Sequence, residues 1–333
     1  MDQVDVERLD PDDPRISWDG IAALERREGG WWAPLRFPLE RVGTTLSGNF
    51  ARLAELPAGV RFGFRTDAVE LLLTLDADLG GAPLDVRVDG ALAHRGRPVS
   101  GPILLPGRPV DVEVWLPHLG RARLGPLGLR GHRSVEPLAR TGTRWVAYGS
   151  SLTHAMFPHG PSEAWPSLLA ARCGWRLRNL GFAGEAYLDQ AVARVVRETP
   201  ADLITLEIGT NAYIKNTHTA RSWGSAVCGF VETVRDGQPD TPIVVVAALP
   251  WVEREAVVNT AGITLEGLRE LTGEAVRVLQ RLGDGRLHLV DGRQVLPVDQ
   301  ADEVYADGLH PTPDGEHDLA DRFARILGAI ALR

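Results

Sequence analysis

The sequence predicts an α/β protein with a parallel five-stranded sheet, preceded by a β-sandwich. Three observations carry this. From residue 144 onward, strand-like and helical patterns alternate, as they do where parallel strands are joined by crossover helices on both faces. The run Val244-Val-Val-Ala-Ala-Leu249 is continuously apolar, the character of a strand covered on both sides. Between Val60 and Arg130, short runs such as Leu84–Val88 and Val110–Trp115 instead alternate apolar with polar residues, as half-buried antiparallel strands do.

Taken in order, residues 1 to about 40 hold Trp18, Trp31 and Trp32 among turn formers and show no clear period. They read as an irregular lead-in with one strand. Strands are then expected at 60–64, 69–75, 84–88, 110–115 and 122–127. Gly80-Gly81, Asp89-Gly90, Pro106-Gly107 and His118 to Gly120 supply the turns between them. The polar stretch from Gly131 to Thr143 separates the two patterns, so the expected domains are 1–138 and 139–333. In the second, strands are expected at 145–148, 177–181, 203–208, 242–248 and 287–290. Helices are expected at 163–173, 188–198, 220–235, 265–282 and 314–332.

With 333 residues, 44% of them hydrophobic and 24% charged, the chain has ample material for a sizeable core. A net charge of −8 with interspersed signs gives no basic tract for nucleic acid. No apolar run has the length of a membrane span, and the acidic start lacks a signal pattern, so a cytoplasmic location is expected. Cys173 and Cys228 lie in helical patterns beside apolar neighbours, and free, mostly buried thiols are expected.

The chemistry gathers at the carboxyl ends of the later strands, where open α/β sheets bind ligands. After Trp145–Tyr148 come Gly149, Ser150 and Ser151, in a loop that ends before a helix near Ser162. A serine hydroxyl needs a base, and that base an orienting group. Asp307-Gly-Leu-His310, ahead of the last helix, holds both. Its three-residue separation lets the Asp307 carboxylate fold back onto Nδ1 of His310 and leaves Nε2 for Ser151. Asn179 to Gly184 and Glu207-Ile-Gly-Thr-Asn211 end the next strands, and the Gly184 backbone and the Asn211 amide are candidate oxyanion donors.

These four blocks, in this order, resemble those of the SGNH hydrolases, the GDSL esterases and lipases, over residues 144 to about 330. The resemblance implies a three-layer α/β/α domain with a flavodoxin-like sheet and chemistry that uses no metal or other cofactor. Carried over by position, it implies Ser151 as nucleophile, His310 as base and Asp307 as orienter. Gly184 and Asn211 would join the Ser151 amide in the oxyanion hole. Two positions depart from the pattern: Ser150 stands where an acidic residue is usual, and Ala212 where many members have aspartate. The Gly-x-Ser-x-Gly motif of the α/β-hydrolases is absent, because Thr153 occupies the second glycine position. The Gly-Ser-Ser-Leu-Thr-His form behind a β-rich region is similar to a bacterial branch of acyltransferases that tailor polyketides. More distantly, it is similar to carbohydrate esterases with an N-terminal jelly roll.

His154, Tyr213 and Trp251 are candidate pocket residues, with packing the competing role for each; Trp31 and Trp32 are read as core rather than as a sugar platform. The leading expectation is a serine esterase that forms an acyl-enzyme on a small-molecule ester or thioester. Transfer of the acyl group from a thioester to an alcohol is the first alternative, and a catalytically silent binding protein the second. Acyl group, acceptor and oligomeric state stay open.

Overall fold

A computed structural model describes residues 6–78, 82–97 and 101–331. The expected turn at Gly80-Gly81 lies outside the described residues. The chain divides into two compact units. One comprises the residues up to Pro38, Ala54–Thr141 and Gly160–Ser162; the other comprises Leu39–Leu53, Gly142–His159 and Glu163–Arg333.

The first unit is built from antiparallel sheets. The largest orders Val135–Pro137, Arg61–Thr66, Val110–Trp115, Leu84–Val88 and Ala91–Gly96, with Ser17–Asp19 paired to the second of these. Phe62, Phe64, Val86, Val112 and Val114 are buried from alternate positions on its strands, which is what a two-residue side-chain period produces. Asp89 and Gly90 both take positive φ, 48° and 78°, giving the primed turn that a two-residue hairpin needs. The expected strand 69–75 is two strands, Glu70–Leu72 and Leu75–Asp78, in different sheets, and 122–127 likewise divides into Arg121–Leu124 and Leu127–Arg130. The lead-in holds four strands rather than one, at Val6–Leu9, Ser17–Asp19, Ala23–Arg26 and Trp32–Leu35. Trp31 and Trp32 are half-buried, and the Arg26 guanidinium lies over the Trp32 ring.

Asp85 breaks the alternation expected for its strand, because it is fully buried. Its carboxylate is held by Arg95 at 2.7 and 3.0 Å and by the Ser162 amide and hydroxyl at 3.0 and 2.7 Å. A buried charge needs this many partners.

The second unit is a doubly wound sheet of five parallel strands, β1 (Arg144–Gly149), β2 (Arg176–Gly181), β3 (Leu203–Ile208), β4 (Ile243–Ala247) and β5 (Leu287–Val290). Their spatial order is β2-β1-β3-β4-β5, the flavodoxin-like order. Every residue of β3 and β4 is buried. Helices cover the sheet: α1 (Ser151–His154), α2 (Trp165–Cys173), α3 (Gln190–Glu198), α4 (Thr210–Lys215), α5 (Ala220–Arg235), α6 (Leu265–Arg281) and α7 (Pro313–Ala331). Trp145 on β1, Trp165 on α2 and Phe323 on α7 pack in one cluster, the last two stacked at 4.2 Å. Cys173 is exposed and Cys228 half-buried, both free. The expectation of mostly buried thiols fails at Cys173, the last residue of α2, whereas Cys228 on α5 is partly covered by α6, its Sγ 3.9 Å from the Ala275 carbonyl.

Two findings were not expected. Helix α1 starts at Ser151 itself, so the serine opens a helix rather than lying in a long loop. The segment Leu39–Leu53, with helices at Leu39–Val42 and Gly48–Ala54, belongs largely to the second unit. Phe50 stacks on Phe182 at 4.4 Å there, and Arg41 pairs with Glu198 at 2.8 Å.

Candidate active site

Sheet order puts β1 between β2 and β3, and both neighbours brace the turn that follows it. Ser150 is the N-cap of α1, its Oγ accepting from the Leu152 amide at 3.2 Å. At the end of β3, Glu207 Oε2 accepts from the Ser150 amide at 2.8 Å, the Ser150 hydroxyl at 2.7 Å and the Thr153 hydroxyl at 3.2 Å. From β2, Asn179 Nδ2 donates to the Thr153 carbonyl at 2.9 Å, while its Oδ1 accepts from the Gly181 amide at 2.7 Å. Complete burial pushes the Glu207 carboxyl upward, and the three donors offset only part of that. Although position 150 is a serine, a carboxyl group therefore stands beside it, supplied from the next strand. Gly149 is required here: a Cβ would lie 2.2 Å from Thr153 Oγ1 and 2.6 Å from Glu207 Oε2.

The second half of the site is the turn before α7. Tyr305 and Pro311 form an antiparallel bridge, and the Ala306 amide donates to the His310 carbonyl at 2.7 Å. Gly308 takes φ 82° inside the turn. Asp307 Oδ1 accepts from the Leu309 and His310 amides at 3.1 and 2.8 Å, and Oδ2 lies 2.8 Å from His310 Nδ1. His310 Nε2 lies 2.8 Å from Ser151 Oγ. Burial raises the Asp307 carboxyl, but the amide and ring of His310 together outweigh it and hold the group below its usual value. An ionised Asp307 fixes the tautomer: Nδ1 donates to it, and Nε2 is left to accept from the serine hydroxyl. Ser151 is 6% exposed, and the His310 and Asp307 side chains are 21% and 47% exposed. The edge of the His310 ring meets Phe157 at 5.7 Å.

Gly184 takes φ 73° with open space where a side chain would stand. Its loop is closed by the Tyr187 hydroxyl donating to the Gly184 carbonyl. It is also tied to the N-terminal segment, since Glu185 accepts from Ser47 Oγ at 3.0 Å and Asn49 Nδ2 at 2.9 Å. Asn211 is the second residue of α4, and its Oδ1 accepts from the Ala186 amide at 3.1 Å. That bond orients the side chain and leaves Nδ2 as a donor with no acceptor among the described residues.

Of the other candidates, His154 is fully buried at the end of α1. Tyr213 and Trp251 line one cavity of about 350 Å³ beside α4. The residues that sequence reasoning did not single out are Glu207, Phe50, Phe157 and Arg254. Glu207 was visible only as a charged residue in an otherwise apolar strand. Among the described residues, no group of three or more His, Cys, Asp or Glu side chains is placed to hold a metal ion.

A family model of the GDSL-like lipase/acylhydrolases matches residues 143–328, more than half of the chain. The chain belongs to this family. No curated protein matches it. Among solved structures it is similar to a salicylyl-acyltransferase, SsfX3, from a tetracycline biosynthetic pathway, at 28% identity and TM-score 0.89, over 98% of this chain and 97% of that one. It is also similar to a putative GDSL-like lipase from Bacteroides ovatus at 20% identity and TM-score 0.77, over 98% of both chains. A family two carbohydrate esterase from Cellvibrio japonicus matches at 15% identity and TM-score 0.68, again over 98% of both. The last two likenesses carry the fold of this GDSL-family enzyme, an ester hydrolase or related acyltransferase. No helix among its described residues is long and apolar enough to cross a membrane.

Proposed function

We propose that the protein is a serine esterase that cleaves small-molecule carboxylic esters through an acyl-enzyme on Ser151. The observation that carries this reading is the unbroken hydrogen-bonded chain Asp307–His310–Ser151, with 2.8 Å at each link to the ring. Ser151 Oγ attacks the ester carbonyl carbon while His310 Nε2 takes its proton. Asp307 holds the ring in place and stabilises the imidazolium that forms. Negative charge develops on the former carbonyl oxygen, for which the Ser151 and Gly184 amides and Asn211 Nδ2 are the donors. The C–O bond to the leaving group then breaks, and His310 returns the proton to the departing alkoxide. Water repeats the sequence on the acyl-enzyme, giving up one proton to His310 and releasing the acid and free Ser151.

A second reading shares every step but the last, with an alcohol in place of water and a thioester as donor. The likeness to a salicylyl-acyltransferase across nearly the whole of both chains favours it. The test is turnover of a series of p-nitrophenyl esters and acyl-CoA thioesters, with and without an alcohol acceptor. Ser151→Ala and His310→Ala should each reduce kcat by about 10³-fold or more without unfolding the chain. Because Asp307 is half exposed, Asp307→Asn should retain measurable turnover. Normal rates in Ser151→Ala would remove both readings, while acid release at full rate regardless of acceptor would remove the second. In this scheme residues 1–138, apart from Leu39–Leu53, form an accessory sandwich ahead of the catalytic part.

A further inference from the structure

The mechanism above leaves unused a cavity of about 350 Å³ lined by Tyr213, Ile214, Trp251, Arg254, Val257 and Asn259. It adjoins the candidate site on two sides. Tyr213 lies two residues beyond Asn211 on α4. The Trp251 indole Nε1 is 3.8 Å from the point where a Cβ on Gly308 would stand, inside the Asp307–His310 turn. Its walls are tied together. The Tyr213 hydroxyl is shared between the Val257 and Arg254 carbonyls at 2.8 and 3.3 Å. Asn259 Nδ2 donates to the Tyr213 carbonyl at 2.9 Å, and the Thr260 amide donates to Asn216 Oδ1 at 2.9 Å.

Its charge is as specific as its shape. The Arg254 guanidinium lies over the Trp251 ring, 5.5 Å from the centroid, a cation held on an indole face. The neighbouring Glu255 is already taken: both its oxygens accept from Arg269 at 2.9 and 3.0 Å, and one also accepts from the Trp251 amide. Among the described residues no carboxylate pairs with Arg254. The wall thus offers an indole face, apolar valines and one uncommitted cation. A cavity of this size suits a ligand body well beyond an acetyl group.

We propose that this cavity receives an ester or thioester that carries an anionic group, carboxylate or phosphate, on a body at least the size of a six-carbon chain or an aromatic ring. Arg254 binds the anion and thereby determines specificity; it takes no part in bond breaking. The inference deepens the esterase reading and rests on it. The anion can belong to the acyl group or to the leaving group, and matched substrate pairs separate these. p-Nitrophenyl hexanoate against p-nitrophenyl hydrogen adipate places it on the acyl side. Phenyl acetate against 4-carboxyphenyl acetate places it on the leaving group.

The quantity to measure is the ratio of kcat/KM, anionic over neutral, within each of wild type, Arg254→Gln and Arg254→Glu. In wild type one pair should favour the anion about fivefold or more, mostly through KM, on the scale of a partly exposed ion pair. The preference should shrink in about 0.5 M salt, where the screening length is a few ångströms. Arg254→Gln should bring the ratio close to that of the uncatalysed esters, and Arg254→Glu should carry it below. Serine-dependent turnover with no preference in either pair, or a preference unchanged in Arg254→Gln, overturns the inference and leaves the esterase reading standing. If Ser151 proves irrelevant to turnover, calorimetry on Ser151→Ala decides the inference separately. Monomethyl adipate binding more tightly than methyl hexanoate, or 4-carboxyphenyl acetate more tightly than phenyl acetate, with the difference lost in Ser151→Ala/Arg254→Gln, supports it; no difference in either pair overturns it.

Discussion

At the scale of single residues, Glu207 shows how a group outside the reacting chain can govern it. Three donors from the turn carrying Ser151 converge on one of its oxygens, and the other oxygen is buried with no hydrogen-bond partner among the described residues. Glu207→Ala would leave the Ser150 amide, the Ser150 hydroxyl and the Thr153 hydroxyl without an acceptor and open a void. Losses of about 1–3 kcal/mol per unsatisfied buried group make a total of several kcal/mol the expected cost. Glu207→Gln keeps an accepting oxygen in the same place and should restore most of the stability and turnover. Thermal unfolding and kcat on both variants check this, and equal defects in the two would show that shape rather than hydrogen bonding matters. The contact of Asp307 with His310 was legible in the sequence because the two are neighbours in the chain and their spacing nearly dictates it. Glu207 was not, because its partners lie 54 and 57 residues away and only the pairing of β1 with β3 brings them together.

At the scale of elements, the strands and helices that the sequence marked well are those whose environment is uniform along their length. β3 and β4 are buried on both faces, and α5 and α6 present one long apolar face. The lead-in was illegible because its strands are only three or four residues long and two of them find their partners far away: Val6–Leu9 pairs with Leu127–Arg130 and Ser17–Asp19 with Arg61–Thr66. One junction between elements has a titratable consequence. Glu316 on α7 caps α2, its Oε2 accepting from the Trp165 amide at 2.8 Å. Burial pushes its carboxyl up to about 8, with that hydrogen bond opposing. The folded chain therefore holds a proton that the unfolded chain releases above its ordinary value near 4.5. Stability from this group is complete below that value and is lost as pH rises through about 8. Glu316→Gln keeps the accepting oxygen and removes the titration. Its Tm should match wild type near pH 5 and exceed it by several degrees near pH 8.5, and parallel Tm curves across this window would refute the assignment.

At the scale of the whole molecule, the change of pattern near residue 138 suggests a cut that would separate sandwich from catalytic sheet. The packing argues that such a cut costs the catalytic side part of itself. Leu39–Leu53 belongs to the unit that holds Ser151, Asp307 and His310. From it Phe50, itself fully buried, stacks on the buried Phe182, while Ser47 and Asn49 bind Glu185. Phe182 and Glu185 flank Gly184 on either side, so the same segment fixes the backbone expected to face the oxyanion. Residues 139–333 alone would expose Phe182 and release that loop, a change comparable to deleting a buried phenylalanine, about 3–5 kcal/mol. The fragment should therefore show lower thermal stability and a kcat reduced by at least about tenfold, because donors lose preorganisation before the triad does. In the intact chain, Phe50→Ala should reproduce the kinetic defect, since it removes the ring that covers Phe182 and leaves residues 54–138 untouched. Full activity in both the fragment and Phe50→Ala would mean that the Gly184 loop is held by its own closing bond from Tyr187 and by Asn211, with the N-terminal segment merely resting on it.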